Sequence, residues 1–171
     1  SKLGIAHTRW ATHGEPSEEN AHPHKSNERV YIVHNGIIEN YLDLKEFLKK
    51  EGYNFSSQTD SELIAHMLEY FLAKGKSMLD SMYSTKEKLE GAYAIAAIDK
   101  EDDKNIIIAR NKSPLLIGLG TDEFLAASDP LAIAQLTNEF IFLEDGDVAE
   151  LSSEEFTIYD VSKNKVQREI S

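Results

Sequence analysis

The rhythm of apolar and polar positions changes twice along this chain. The opening stretch is rich in His, Asn and Thr and has little regular pattern. Gly4–Thr8 reads as a short strand that leads into an irregular polar loop, Ala11–Asn27. Arg29-Val30-Tyr31-Ile32-Val33-His34 is rich in β-formers and ends at Asn35-Gly36, a dipeptide that signals a tight turn. From Tyr41 the apolar residues fall at helical spacing. Tyr41, Leu42, Leu44, Phe47 and Leu48 predict one helix, with Lys49 and Lys50 in its last turn and Gly52 as its stop. Thr59-Asp60-Ser61-Glu62 has the form of a capping box, in which Glu62 reaches back to the N-cap. It opens a second helix through Leu63, Ile64, Met67, Leu68, Phe71 and Leu72 to Gly75. Met78, Leu79, Met82 and Leu89 suggest a third.

The period then shortens towards two. Ala92–Ile98, Ile106–Ala109, Leu115–Leu119 and Phe124–Ala127 read as consecutive short strands, with charged Glu101–Asn105 turning between the first two. Asp129-Pro130 begins a short helix through Leu136. Phe140–Phe142, Val148–Leu151, Phe156–Tyr159 and Lys165–Glu169 predict further strands. Helices grouped among many strands describe an α+β protein of packed sheets with helical layers outside.

Composition narrows the function classes. The chain has 171 residues, and 18 Lys+Arg against 30 Asp+Glu leave a net charge of −12. No basic stripe supplies the footprint that nucleic acid requires. No apolar run approaches the roughly 18 residues of a membrane span. There is no cysteine, so these residues form no disulfide and supply no thiolate ligand or thiol nucleophile. Without a signal-peptide apolar region, the expected location is cytoplasmic.

Several residues invite chemistry, and each has a plainer alternative. His22-Pro23-His24 would turn two imidazoles to one side of an extended backbone, as some zinc hydrolases do, with Asp60 or His7 as a third ligand. Otherwise these histidines are loop-packing groups. Asn35-Gly36 is either a hairpin turn or an oxyanion hole, in which the Asn amide and a neighbouring N–H converge on a negative oxygen. Asp60 either favours the positive end of its helix or pairs with an ammonium group. Arg9, isolated beside Thr8 and Thr12, suits a bidentate grip on a carboxylate or is a surface residue. Trp10, the only Trp, is ordinarily a core residue. Together the functional readings draw a pocket for an amino acid whose side-chain carbonyl is attacked, without the attacker.

The run Gly4-Ile5-Ala6-His7-Thr8-Arg9-Trp10-Ala11-Thr12-His13-Gly14-Glu15-Pro16-Ser17 is long and distinctive. With Asn20–His24, His34–Asn40, Thr59–Glu62, Gly91-Ala92-Tyr93, Ser113-Pro114-Leu115 and Ala127-Ser128-Asp129, it resembles the glutaminase domain of the glutamine–fructose-6-phosphate aminotransferase (glucosamine-6-phosphate synthase) family. The resemblance runs in order from end to end. It implies an N-terminal-nucleophile αββα sandwich of antiparallel sheets, incomplete at its N-terminus. It further implies that Arg9 and Thr12 hold the glutamine α-carboxylate in a mobile loop from Arg9 to about Pro16. Asp60 takes the α-ammonium, Gly36 adds backbone contacts, and Asn35 with the Gly36 N–H forms the oxyanion hole. His22 lines the pocket, and Trp10 and His13 belong to the loop and the ammonia path. No metal and no cofactor are implied.

The family's nucleophile is an N-terminal Cys, which these residues do not contain. Residues 1–171 are therefore expected to be a partial type 2 glutamine amidotransferase domain. The nucleophile segment and the C-terminal isomerase domains are expected to lie outside it, and the chain alone should not hydrolyse glutamine. Implied partners are L-glutamine, fructose 6-phosphate through the isomerase domains, and further copies in a homo-oligomer when intact. The alternative from a different class is a non-catalytic glutamine-binding or regulatory module.

Overall fold

The computed structural model describes residues 24–171, apart from 28, 58 and 122. Among them, ten strands and three helices follow one another: β1 (His24–Ser26), β2 (Val30–Ile38), α1 (Tyr41–Lys50), α2 (Asp60–Ala73), α3 (Met78–Lys88), β3 (Gly91–Asp99), β4 (Asp102–Asn111), β5 (Leu116–Gly120), β6 (Glu123–Ala127), β7 (Phe140–Phe142), β8 (Val148–Leu151), β9 (Phe156–Tyr159) and β10 (Lys165–Val166). A 3-10 turn, Pro130–Ile133, stands between β6 and β7. Among the described residues, β1-β2-β3-β4-β8-β9-β10 form a seven-stranded sheet and β6-β5-β7 a three-stranded one. All strand pairs within these two sheets are antiparallel.

Alternation along the strands builds two cores. Val30, Ile32 and Ile38 of β2, Tyr93, Ile95 and Ala97 of β3, and Ile107 and Ala109 of β4 point to the helices. There they meet Leu63, Ile64, Met67 and Leu68 of α2 and Met82 of α3. The intervening Val33, Ala94, Ala96, Ile106 and Ile108 face the other way, onto Leu115, Ile117 and Ile141 at the smaller sheet. Because both faces of β4 are covered, Ile106–Ala109 is a continuous apolar run rather than an alternating one. Each fully buried Ile or Leu contributes about 1.5–3 kcal/mol. The 3-10 turn closes the outer face of the small sheet, where Ile133 and Thr137 lie over Gly118.

Most predicted elements are found, and the differences have local causes. Residues 1–23, with the predicted strand Gly4–Thr8, lie outside the described residues. The end of the predicted loop is a strand, since His24–Ser26 pairs with Val30–Ile32. The helix predicted through Leu136 shrinks to the 3-10 turn, with the Asp129 carboxylate accepting from the Leu131 N–H at 2.9 Å. The capping box is altered. Thr59 is the N-cap but makes no side-chain cap, and Glu62 reaches past it to the backbone N–H groups of Ser56 and Ser57 at 2.9 and 2.7 Å. Among the described residues, no helix is long and apolar enough to cross a membrane.

Candidate active site

Asn35-Gly36 is not a hairpin turn. Strand β2 continues through it to Ile38, with Asn35 opposite Ala94, Gly36 opposite Tyr93 and Ile38 opposite Gly91. The turn signal fails because two glycines, one per strand, let the pair continue in an unusual conformation. Gly36 has φ +119° and Gly91 φ +117°. A Cβ on Gly36 would stand 2.1 Å from the Ala92 carbonyl oxygen, and one on Gly91 would stand 2.3 Å from that of Ile37. Each glycine is thus pressed against the other strand's backbone, and neither place admits a side chain. A positive φ departs from strand geometry, so the peptide groups beside Gly36 are turned from their regular ladder direction.

Neighbouring groups hold this end of the strand pair. The Asn111 side-chain amide donates to the Gly91 carbonyl at 3.1 Å. Asn40 donates to the Lys88 carbonyl at 2.7 Å, and its own carbonyl oxygen accepts from the Glu90 N–H at 3.0 Å. Asn35 shares the parity of Val33 and lies opposite Ala94, so its side chain belongs to the face turned towards the second sheet.

Asp60 comes to the same strand from the helical side. It is the first residue of α2 and is fully buried, and its Oδ2 accepts from the Ile38 N–H at 2.9 Å. A backbone N–H and the positive end of a helix both favour a carboxylate's charge. The next residue, Ser61, is bonded to His34, with Oγ 3.0 Å from Nδ1. That same nitrogen lies 4.0 Å from Asp60 Oδ1. The first turn of α2 is therefore tied to β2 on both sides of Asn35-Gly36.

Farther along α2 a buried polar row continues. His66 Nε2 lies 2.9 Å from Glu62 and its Nδ1 2.7 Å from Ser26 Oγ. Burial opposes ionisation of Glu62, but hydrogen bonds from His66, Ser57 and the Ser56 backbone outweigh it and hold its carboxyl at about 2. Glu69 accepts from the Asn27 amide at 2.8 Å and from the Tyr53 hydroxyl. Burial and Glu69 push that phenol far above its usual range. These bonds fasten β1 to the helix.

The structure brings Asn35, Gly36 and Asp60 to one strand end. Arg9, Trp10, Thr12, His13 and His22 lie outside the described residues. The metal alternative required His22 and His24 with Asp60 or His7, of which His7 and His22 are also outside. Asp60 is engaged by the Ile38 N–H, and no group of three or more His, Asp or Glu able to hold a metal occurs among the described residues. Sequence reasoning missed His34 and Ser61. The available signal was a run of polar residues, Thr59–Glu62 with His66 and Glu69, in a helix otherwise apolar enough to be buried all round.

A model of the glutamine amidotransferase domain matches residues 7–135. The chain belongs to this glutamine amidotransferase family. It is 52% identical over 168 residues to the glutamine–fructose-6-phosphate aminotransferase [isomerizing] of Vibrio parahaemolyticus, covering 98% of this chain and 27% of the relative. The Haemophilus influenzae protein of the same name is 52% identical over 167 residues, with the same coverage. The chain thus spans about a quarter of the length of these relatives. Among solved structures, a glutamine phosphoribosylpyrophosphate amidotransferase from B. subtilis aligns with TM-score 0.75 and 25% identity, over 93% of this chain and 35% of that one. The fold is therefore that of the amidotransferase N-terminal-nucleophile class, with two antiparallel sheets and a helical layer.

Proposed function

We propose that this chain is the glutamine-binding part of a glucosamine-6-phosphate synthase, where it holds glutamine and stabilises the oxyanion formed at its side-chain amide. The observation that carries the reading is the placement of Asn35-Gly36 inside β2, two residues before the Ile38 N–H that anchors the buried Asp60 carboxylate. In this reading Asp60 receives the α-ammonium, while Arg9 and Thr12 hold the α-carboxylate. His22 lines the pocket, and Trp10 and His13 serve the closing loop and the passage of ammonia.

A thiolate then attacks the side-chain carbonyl. The Asn35 amide and the Gly36 N–H donate to the developing negative oxygen, and collapse expels ammonia and leaves a thioester that water converts to glutamate. Oxyanion donors act where charge appears, so losing one costs about 10²–10³ in kcat. The 171 residues contain no cysteine, so the thiol is not among them, and this chain's share is binding and electrostatic stabilisation. Ammonia passes to fructose 6-phosphate at isomerase domains, giving glucosamine 6-phosphate in a homo-oligomeric enzyme. The second reading is a non-catalytic glutamine-binding or regulatory module.

The test is to supply the intact enzyme carrying this chain with amide-¹⁵N glutamine and fructose 6-phosphate. Label in glucosamine 6-phosphate, lost in Arg9→Ala and Asp60→Asn, supports the first reading. Glutamine binding without label in any product supports the second.

A further inference from the structure

We propose that His34 and Ser61 are positioning residues that set the oxyanion donors against the ammonium acceptor. The proposal rests on the glutamine-binding reading above and extends it to two side chains that touch no substrate. The observation is the bond between His34 Nδ1 and Ser61 Oγ, 3.0 Å long and fully buried. His34 immediately precedes Asn35, and Ser61 immediately follows Asp60. A single side-chain bond thus joins the neighbours of the two groups whose separation the reaction must fix.

The geometry explains why one tie is not enough. Asp60 is already fixed to β2 by the Ile38 N–H at 2.9 Å, on the far side of Gly36. That contact sets where the carboxylate sits but, by itself, joins the start of α2 to β2 only beyond the positive-φ Gly36. The second tie, at His34, lies on the near side. With both in place Asn35 and Gly36 are held between two fixed points, and their donors keep one direction relative to Asp60. Packing supports this division, since His34 lies in the helix-facing row with Ile32 and Ile38, so its imidazole is turned from the face that carries Asn35.

The consequence is a split between binding and rate. Ser61→Ala leaves the Asp60 contact with Ile38 intact, so ground-state binding of glutamine should change little. Alignment of the oxyanion donors loosens, and that interaction matters only in the transition state. Misplacement by about 1 Å costs up to about a hundredfold, and a loosened strand should cost about tenfold.

The experiment measures glutamate release by the intact enzyme carrying this chain, together with its Tm. Ser61→Ala should lower kcat about tenfold with KM changed less than threefold, and His34→Leu should lower kcat at least as far. His34→Asn, whose amide can occupy the place of Nδ1, should keep kcat within about threefold of wild type. An unchanged kcat in Ser61→Ala would overturn the proposal. So would kcat and KM worsening together with an early melt, which assigns the bond to the fold alone. If the wild-type enzyme releases no glutamate, the glutamine reading fails and this inference falls with it. A wild type that works beside a Ser61→Ala variant equal to it removes only the positioning role.

Discussion

Gly36→Ala separates a conformational need from a spatial one, and the structure provides controls for both. The new methyl carbon would lie 2.1 Å from the Ala92 oxygen, 2.7 Å from its carbonyl carbon and 3.0 Å from the Tyr93 Cα. All three are backbone atoms of the paired strand, so none can swing aside as a side-chain tip would. A positive φ costs a non-glycine residue about 1–2 kcal/mol. Forcing extra volume into a packed place adds about 1–3 kcal/mol, and here β2 and β3 must separate to admit it. The sum, about 2–5 kcal/mol, is a large part of the roughly 5–15 kcal/mol that holds a domain folded. At this length each kcal/mol moves Tm by about 2–4 °C, so a fall of about 4–20 °C is expected. Gly52→Ala has φ +97° but no atom within 4 Å, and should lose only about 1–2 kcal/mol. Gly118→Ala meets the movable Ile133 Cδ1 at 2.4 Å without a positive φ, and should fall between. Thermal and urea melts of the three variants decide the matter. A Gly36→Ala chain as stable as Gly52→Ala would refute the claim that the β2–β3 pair is closed at this point.

Other expectations follow from the same contacts. Glu62 is held at about 2 against an ordinary value of 4.5, so its stabilising contribution is complete above 4.5 and lost as pH falls towards 2. Urea midpoints over that range should drop less steeply in Glu62→Gln than in wild type, and parallel curves would disprove the assignment. Asp60→Asn keeps an oxygen for the Ile38 N–H, so the melt should hold while glutamine affinity falls by about 3 kcal/mol, over a hundredfold. Equal affinity by calorimetry would remove Asp60 from the site. Arg168 makes a paired contact with buried Asp147, at 3.0 and 2.9 Å. Arg168→Ala leaves that buried carboxylate without its guanidinium and, because Arg168 itself reaches solvent, should cost about 2 kcal/mol, read as a Tm fall of about 4–8 °C.

The helices were legible because their signals are local. Lys49, Lys50 and Gly52 mark the end of α1, and Gly75, at φ +91°, follows α2. The strands from β3 to β9 were legible because burial on two faces leaves short apolar runs between turn residues. Asn35-Gly36 misled as a turn because its meaning depends on Gly91, more than fifty residues away, whose backbone accepts it across the sheet. The capping box misled in a related way, since the loop at Ser56 and Ser57 offers Glu62 donors that sequence spacing does not reveal. Asp60, Asn35 and Gly36 were singled out from chemistry and resemblance, and the structure brings them to one strand end. The His34–Ser61 bond was not, because a buried His looks the same in sequence whether it packs or positions.

Calorimetric titration of L-glutamine into this chain, beside Arg9→Ala and Asp60→Asn, tests the central claim most directly. The account predicts saturable heat at one equivalent in the wild-type chain and its loss in both variants, with melts unchanged. Wild-type heat that persists in both variants, or no heat at all from a folded wild-type chain, would contradict it.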